Sequence, residues 1–157
     1  MSEILWQELT YGLPDATQLI HVIVRLAAAT VLGAIIGIQR EQAGKPAGLR
    51  THILVAVGTT LFVIACAGVG MSLEGQSRVI QGIATGIGFI GAGAILKLSE
   101  EREIQGLTTA AGIWMTAAIG VAVGLGSLGL ALLSTALTWI VLALLVRYEE
   151  RIARKHR

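Results

Sequence analysis

Long apolar runs separated by short polar stretches set the pattern of the chain. The first covers 19–38 and is interrupted by His21 and Arg25, the second covers 51–70, and the third covers 79–98 with Lys97 near its end. Residues 107–146 then hold no charge at all. As one helix that stretch would be about 60 Å long, twice the roughly 30 Å of bilayer hydrocarbon. The run Gly124-Leu125-Gly126-Ser127-Leu128-Gly129 supplies a turn that divides it into 107–125 and 128–146. A spanning helix needs about 20 mostly apolar residues. The pattern therefore predicts an all-α integral membrane protein with five transmembrane helices over 19–146, an external leader over 1–18 and a basic tail over 147–157.

Charge adds a direction. Arg40, Lys45, Arg50, Lys97, Arg102, Arg147, Arg151, Arg154, Lys155 and Arg157 all fall on one side of a five-span arrangement, against Arg78 alone on the other. The positive-inside rule then places the N-terminus outside and the C-terminus in the cytoplasm. The leader carries Glu3, Glu8 and Asp15 without Lys or Arg, unlike the positive start of a cleaved signal peptide. Its Ile4, Leu5, Trp6, Leu9 and Tyr11 suit a short interfacial helix.

Composition explains how such helices would meet. Charged residues make up 14% of the chain, too few to cover a water-facing surface, where about 25% is usual. Twenty glycines lie mostly inside the apolar runs, and small residues let helix backbones approach closely in lipid. Stripes of them occur at Ala29, Gly33 and Gly37, and at Thr108, Gly112, Thr116, Gly120 and Gly124. The third run has Gly82, Gly86 and Gly93 on one face and Ala84, Gly88 and Gly91 on the other, which predicts a central position for it. The Leu- and Val-rich fifth run, with Gly129, suits a lipid-facing helix. Gly33-Ala34 recurs as Gly91-Ala92, and Gly48-Leu49-Arg50-Thr51 as Gly106-Leu107-Thr108-Thr109, both 58 residues on. Duplication and shared helix-capping chemistry both account for this.

Candidate chemistry is sparse. Arg25 continues the Ala29–Gly33 stripe, so it either contacts an anion or carbonyl inside the bundle or snorkels to the outer headgroups. The loop from Arg40 and Glu41 through Lys45 to Arg50, Thr51 and His52 is the densest polar patch. With the free N–H groups of the following helix it could take a phosphate, a lipid headgroup or an acidic partner, or serve only as an inner-face anchor. Thr108 and Thr109 open the fourth run, and Trp114 is expected to fill space in the bundle. The run Gly88-Phe89-Ile90-Gly91-Ala92-Gly93 reads as tight packing or as a helix break at a substrate site. Cys66 is alone, which excludes an intramolecular disulfide. The spans hold no Asp or Glu, and the chain has no Walker A, HExxH or nucleophile motif. A non-enzymatic protein with no cofactor, metal or nucleic-acid partner is expected. Its partners would be the bilayer and either a membrane protein or a second copy of itself.

Several segments resemble the MgtC/SapB family. They are Gly33-x-x-x-Gly37 with Arg40-Glu41, then Pro46-Ala47-Gly48-Leu49-Arg50-Thr51-His52 and Gly58, then Gly86-Ile87-Gly88-Phe89-Ile90-Gly91-Ala92-Gly93, and last Gly106-Leu107-Thr108-Thr109-Ala110-Ala111-Gly112-Ile113-Trp114. The resemblance covers about residues 20 to 145. It implies a multi-pass protein of the bacterial inner membrane, in a family linked to growth in low magnesium, to virulence and to restraint of the proton-translocating ATP synthase by membrane contact. MgtC-type members carry a soluble C-terminal domain, whereas 11 residues, 147–157, follow the fifth run here. The expectation is a short form acting as a regulator through helix–helix contact, with Gly112 and Gly120 on the contact face. The alternative is a small transporter or channel for ions or an anionic solute.

Overall fold

The structure, a computed structural model, describes residues 1–10, 15–98 and 103–155, with side chains over 1–7, 15–95 and 105–143. A short helix α1 (Ser2–Thr10) precedes α2 (Ala16–Gln42), α3 (Leu49–Gly68) and α4 (Leu73–Gly93). A two-stranded ribbon follows, β1 (Leu96–Leu98) and β2 (Glu103–Gln105), and then α5 (Leu107–Gly124) and α6 (Leu128–Lys155). Helices α2, α3 and α5 are long and apolar enough to cross a membrane, and α6 adds the shorter apolar stretch Leu128–Ala143.

Helix starts and stops follow local chemistry. The Asp15 carboxylate accepts from the Gln18 amide at 2.7 Å and opens α2, and the Ser72 hydroxyl accepts from the Gly75 amide at 3.2 Å and opens α4. Three helices end in the same device, a glycine just past the last turn in the left-handed region: Gly44 (φ 66°), Gly70 (φ 68°) and Gly126 (φ 82°). In each case the glycine amide and the one after it return to carbonyls of the last turn, as in Lys45 N to Arg40 O at 3.0 Å and Ser127 N to Ala122 O at 2.9 Å. The glycine-rich turn expected between the last two runs is therefore the link from α5 to α6.

The third run sits differently from its sequence reading. Helix α4 begins at Leu73 and ends at Gly93, not at 79 and 98. The Ser72 cap and the Glu74–Arg78 ion pair at 2.5 Å hold a polar first turn that hydropathy alone discards. Leu96–Leu98 leaves the helix and pairs antiparallel with Glu103–Gln105, with Leu96 opposite Gln105 and Leu98 opposite Glu103. The fold is helical as expected, with this small ribbon added.

The centre of the bundle is α5. It buries ten residues, among them Thr109, Gly112, Ile113, Thr116, Gly120 and Val123, and it touches α2, α3, α4 and α6. Helix α3 fills the space between α2 and α5 and packs extensively on both. The main core joins Ala29, Leu32 and Ile36 of α2 with Ala56 of α3, Ile119 and Val123 of α5, and Ala131 and Leu142 of α6. Helix α4 lies at the edge and buries only Ile87 and Gly91. This overturns the expectation that the third run is central. Small side chains on two faces permit close neighbours, but the chain supplies a neighbour on one face only. Helix α6 turns Ala131, Thr135, Thr138 and Leu142 inward and leaves Leu130, Leu133, Leu137 and Trp139 exposed.

Candidate functional site

One face of α5 carries a ladder of polar contacts. Arg40 Nη2 donates to Thr109 Oγ1 at 3.2 Å. Two turns along, His52 Nδ1 and Thr116 Oγ1 are 2.7 Å apart. The Thr116 hydroxyl is also 2.9 Å from Gly112 O, so its one hydrogen goes to Gly112 O when the His52 Nδ1 is protonated and to Nδ1 when it is not. Thr60 Oγ1 then donates to Gly120 O at 2.8 Å, and Arg25 Nη1 to Gly124 O at 2.8 Å. The ladder ties α2 and α3 to α5 along its whole length, where few other polar groups are available.

Close backbone contact makes room for it. A Cβ on Gly33 would stand 2.8 Å from His52 O, and one on Gly37 would stand 2.7 Å from Leu49 Cα. A Cβ on Gly120 would collide with the Thr59 hydroxyl, and one on Gly124 would lie 2.6 Å from Val63 Cβ. Gly112 faces His52, whose Cε1 would be 3.7 Å away. The stripes of α2 and α5 are thus occupied inside the molecule. Gly112 and Gly120 do not form an outward contact face, because α3 already fills it.

At one end of the ladder a cavity of about 410 Å³ is lined by Arg40, Lys45, Pro46, Ala94, Gln105 and Thr108, with Gly44, Gly106 and Thr109 completing the wall. Arg40 is fully buried and is among the largest such side chains. Among the described residues its Nε and Nη1 have no hydrogen-bond partner, and His52 Nε2 and Gln39 Oε1 share that condition. The only ion pair among the described residues is Glu74–Arg78, far along the chain. A buried charge left without its partner typically costs about 3–5 kcal/mol.

The two helix starts near this end differ. Helix α3 begins at Gly48, which has no side-chain cap of its own. The Glu41 carboxylate accepts from the Leu49 amide at 2.9 Å and serves instead. Helix α5 has Gly106 (φ 94°) as its N-cap, with no side-chain acceptor for its first turn among the described residues. The anion-binding role expected at the start of the second run is therefore taken by Glu41, and the open start is that of α5.

Other expected residues are scattered. Arg25 is half-buried at the far end of α5 and contacts a carbonyl, not a cavity. Arg50 is exposed and Thr51 half-buried on the first turn of α3, outside the cavity wall. Trp114 is 50% exposed, so it does not fill the bundle interior. It forms one wall of an apolar groove of about 160 Å³ with Ile80, Ile83, Ile87 and Val121, between α4 and α5. A Cβ on Gly91 would stand 3.5 Å from Ala110 Cβ of α5, while one on Gly82, Gly86, Gly88 or Gly93 would meet nothing within 4 Å among the described residues. The helix runs unbroken through Gly93. Thr116 of the small-residue stripe and Lys45 of the polar loop join the site, and so does Thr60, which the hydropathy pattern alone does not pick out. Thr59-Thr60, side by side in an apolar run, is the signal that pointed inward.

Comparison with known proteins agrees with this architecture. The MgtC family model matches residues 26–151. Protein SrpB of Synechococcus elongatus is 43% identical over 134 residues, which are 76% of this chain and 71% of SrpB. YhiD of Escherichia coli K12 is 41% identical over 142 residues, covering 85% of this chain and 65% of YhiD. MgtC of Salmonella typhimurium is 40% identical over 130 residues, 83% of this chain and 54% of MgtC. The chain thus spans about half the length of MgtC and just under two thirds of YhiD. No solved structure matches it. Helices apolar enough to span a bilayer, the family model over most of the chain and these relatives agree that the chain belongs to the MgtC family.

Proposed function

We propose that this chain is a non-enzymatic regulator in the bacterial inner membrane that acts by helix–helix contact with a membrane complex or a second copy of itself. In this reading five helices, α2 to α6, cross the bilayer. The N-terminus lies outside, and the C-terminus and the Arg40 cavity lie on the cytoplasmic side, where the excess of Lys and Arg falls. The setting would be adaptation to low magnesium or virulence, as the family resemblance implies. One observation supports contact most directly. The glycines of α2 and α5 are filled by neighbours in the same chain, whereas Gly82, Gly86, Gly88 and Gly93 of α4 are open on the outside beside the 85% exposed Phe89. Small residues on a membrane helix favour close approach of another helix.

The test is in-cell photo-cross-linking from position 86 of α4, with position 112 as a buried comparison. Capture of one foreign membrane complex, such as the ATP synthase, supports the regulator, and capture of the chain alone supports a homo-oligomer. No specific capture from position 86 would sink the reading.

A second reading, transport, rests on YhiD, whose name proposes magnesium transport. Magnesium prefers six oxygen ligands, commonly including carboxylates. The described residues contain no group of three His, Cys, Asp or Glu side chains suited to a metal, and the cavity wall presents Arg40 and Lys45. These cations favour an anionic solute over a metal ion. Flux of inorganic phosphate or magnesium into proteoliposomes, with Arg40→Gln as control, separates the readings.

A further inference from the structure

We propose that the cavity at the start of α5 is a binding site for a phosphate-class oxyanion, either the phosphate of an anionic lipid headgroup or a free phosphate. The inference holds whichever of the two functional readings is correct, because it stands on local chemistry.

The first observation is Arg40. Its guanidinium is fully buried, lies in the cavity wall and has two nitrogens, Nε and Nη1, without acceptors among the described residues. A guanidinium stays charged at any physiological pH, so loss of a proton cannot relieve the burial. The remaining remedy is a negative partner. Among the described residues, none of the side chains lining the cavity is a carboxylate.

The second observation is the open helix start. The 18-residue α5 directs its first-turn N–H groups toward this end, Gly106 offers them no side-chain cap, and no side-chain acceptor for them occurs among the described residues; such a terminus favours an anion through both its amides and its dipole. Gly106 adopts φ 94° and packs against Ala94 O, so a larger side chain at that position would be excluded. Thr109 accepts from Arg40 at this terminus, and the Thr108 side chain and Lys45 stand in the same wall. Hydroxyl, guanidinium, ammonium and helix amides together form the usual donor set for a phosphate oxyanion.

The chain itself supplies a comparison. Helices α3 and α5 open on the same Gly-Leu-x-Thr pattern, Gly48 to Thr51 and Gly106 to Thr109. At α3 the chain provides the anion from Glu41, which bonds the Leu49 amide and crowds the position of a Cβ on Gly48. At α5 the corresponding acceptor is absent among the described residues, although a buried arginine stands beside it. The volume of about 410 Å³ falls in the usual range of small-ligand pockets, about 300–1,000 Å³.

The experiment uses the purified full-length chain in an uncharged detergent and in nanodiscs. Phosphorus NMR follows inorganic phosphate added to the detergent sample. Native mass spectrometry follows lipid retained from nanodiscs of phosphatidylcholine with or without phosphatidylglycerol. Binding of free phosphate identifies a soluble anion, and retention of phosphatidylglycerol alone identifies a headgroup. In either arm Lys45→Ala, an exposed position that should leave folding intact, weakens binding about tenfold, the value of one charge-assisted contact. Arg40→Gln abolishes it, and Arg50→Ala, exposed but outside the wall, leaves it unchanged. Binding that is equal in Lys45→Ala and the parent chain overturns the proposal. So does failure of both probes to bind.

Discussion

Arg25 Nη1 donates to Gly124 O at 2.8 Å, at the end of α5 opposite the Arg40 cavity. The last carbonyls of a helix lack partners within it and carry the negative end of its dipole. An arginine reaching across from α2 satisfies one of them and fixes the register of the two helices. The two arginines of α2 thus mark the two ends of α5: Arg25 holds its C-terminus, and Arg40 stands at its N-terminus.

Replacing Arg25 with Ala should therefore destabilise the bundle without touching the cavity. The loss should be about 1–3 kcal/mol, the usual value of a hydrogen bond from a charged donor at a partly buried site. Unfolding in a titration with sodium dodecyl sulfate measures it, and phosphate binding should persist in the folded fraction. An Arg25→Ala chain as stable as the parent would instead place this arginine among the headgroups.

Thr116→Val tests the middle rung. The substitution keeps the shape and removes the hydroxyl partner of His52 Nδ1, whose ring is fully buried. Stranding a buried polar atom costs about 1–3 kcal/mol. Thr135→Val should cost less, because the Thr135 hydroxyl bonds only to Ala131 O in its own helix. Equal losses for the two variants would mean that the His52–Thr116 bond contributes nothing beyond ordinary burial.

The glycines divide into two functional sets. Gly120→Leu should prevent folding or cost at least about 1–3 kcal/mol, because even a Cβ there collides with Thr59 on α3. Gly86→Leu should leave folding intact, because that position is open. If helix contact with a partner is the activity, only Gly86→Leu should lose cross-linking while keeping its stability. The reverse pattern would return the contact face to α5.

Much of the scaffold was readable from the chain. Lack of charge over 107–146 and the Gly124–Gly129 turn mark α5 and the start of α6, and the polar patch and helix start in the sequence point to Arg40 and Thr109, which meet in the structure. What could not be read was which small-residue face is filled. Gly120 and Gly86 look alike in sequence, and only the position of α3 separates them. The start of α4 was missed because hydropathy discounts Glu74 and Arg78, whose ion pair and Ser72 cap stabilise a polar helical turn. The role of Glu41 was hidden for a related reason. It caps a helix that begins eight residues later, across a loop whose closure depends on Gly44.

Glu41→Ala should uncap α3. The Leu49 amide loses its acceptor at 2.9 Å, and removal of a capping carboxylate typically costs about 0.5–2 kcal/mol. Hydrogen exchange should rise at Leu49 and the adjoining first-turn amides, with little change at the start of α5. Unchanged protection at Leu49 would show that solvent or a neighbouring group replaces the carboxylate at no cost.

Trp114 offers a test of the edge position of α4. Half of its surface is exposed in an apolar groove between α4 and α5, midway along α5. Lipid acyl chains would reach an indole there if α4 is a peripheral helix. In a chain whose other tryptophans are changed, Trp6→Phe and Trp139→Phe, brominated acyl chains should quench the Trp114 emission strongly. Bromines near the bilayer centre should act more than those near the headgroups. A Trp114 shielded from all of them would mean that another helix covers the groove. That result would also make the α4–α5 edge, and not the outer glycines of α4 alone, the surface where a partner or second copy sits.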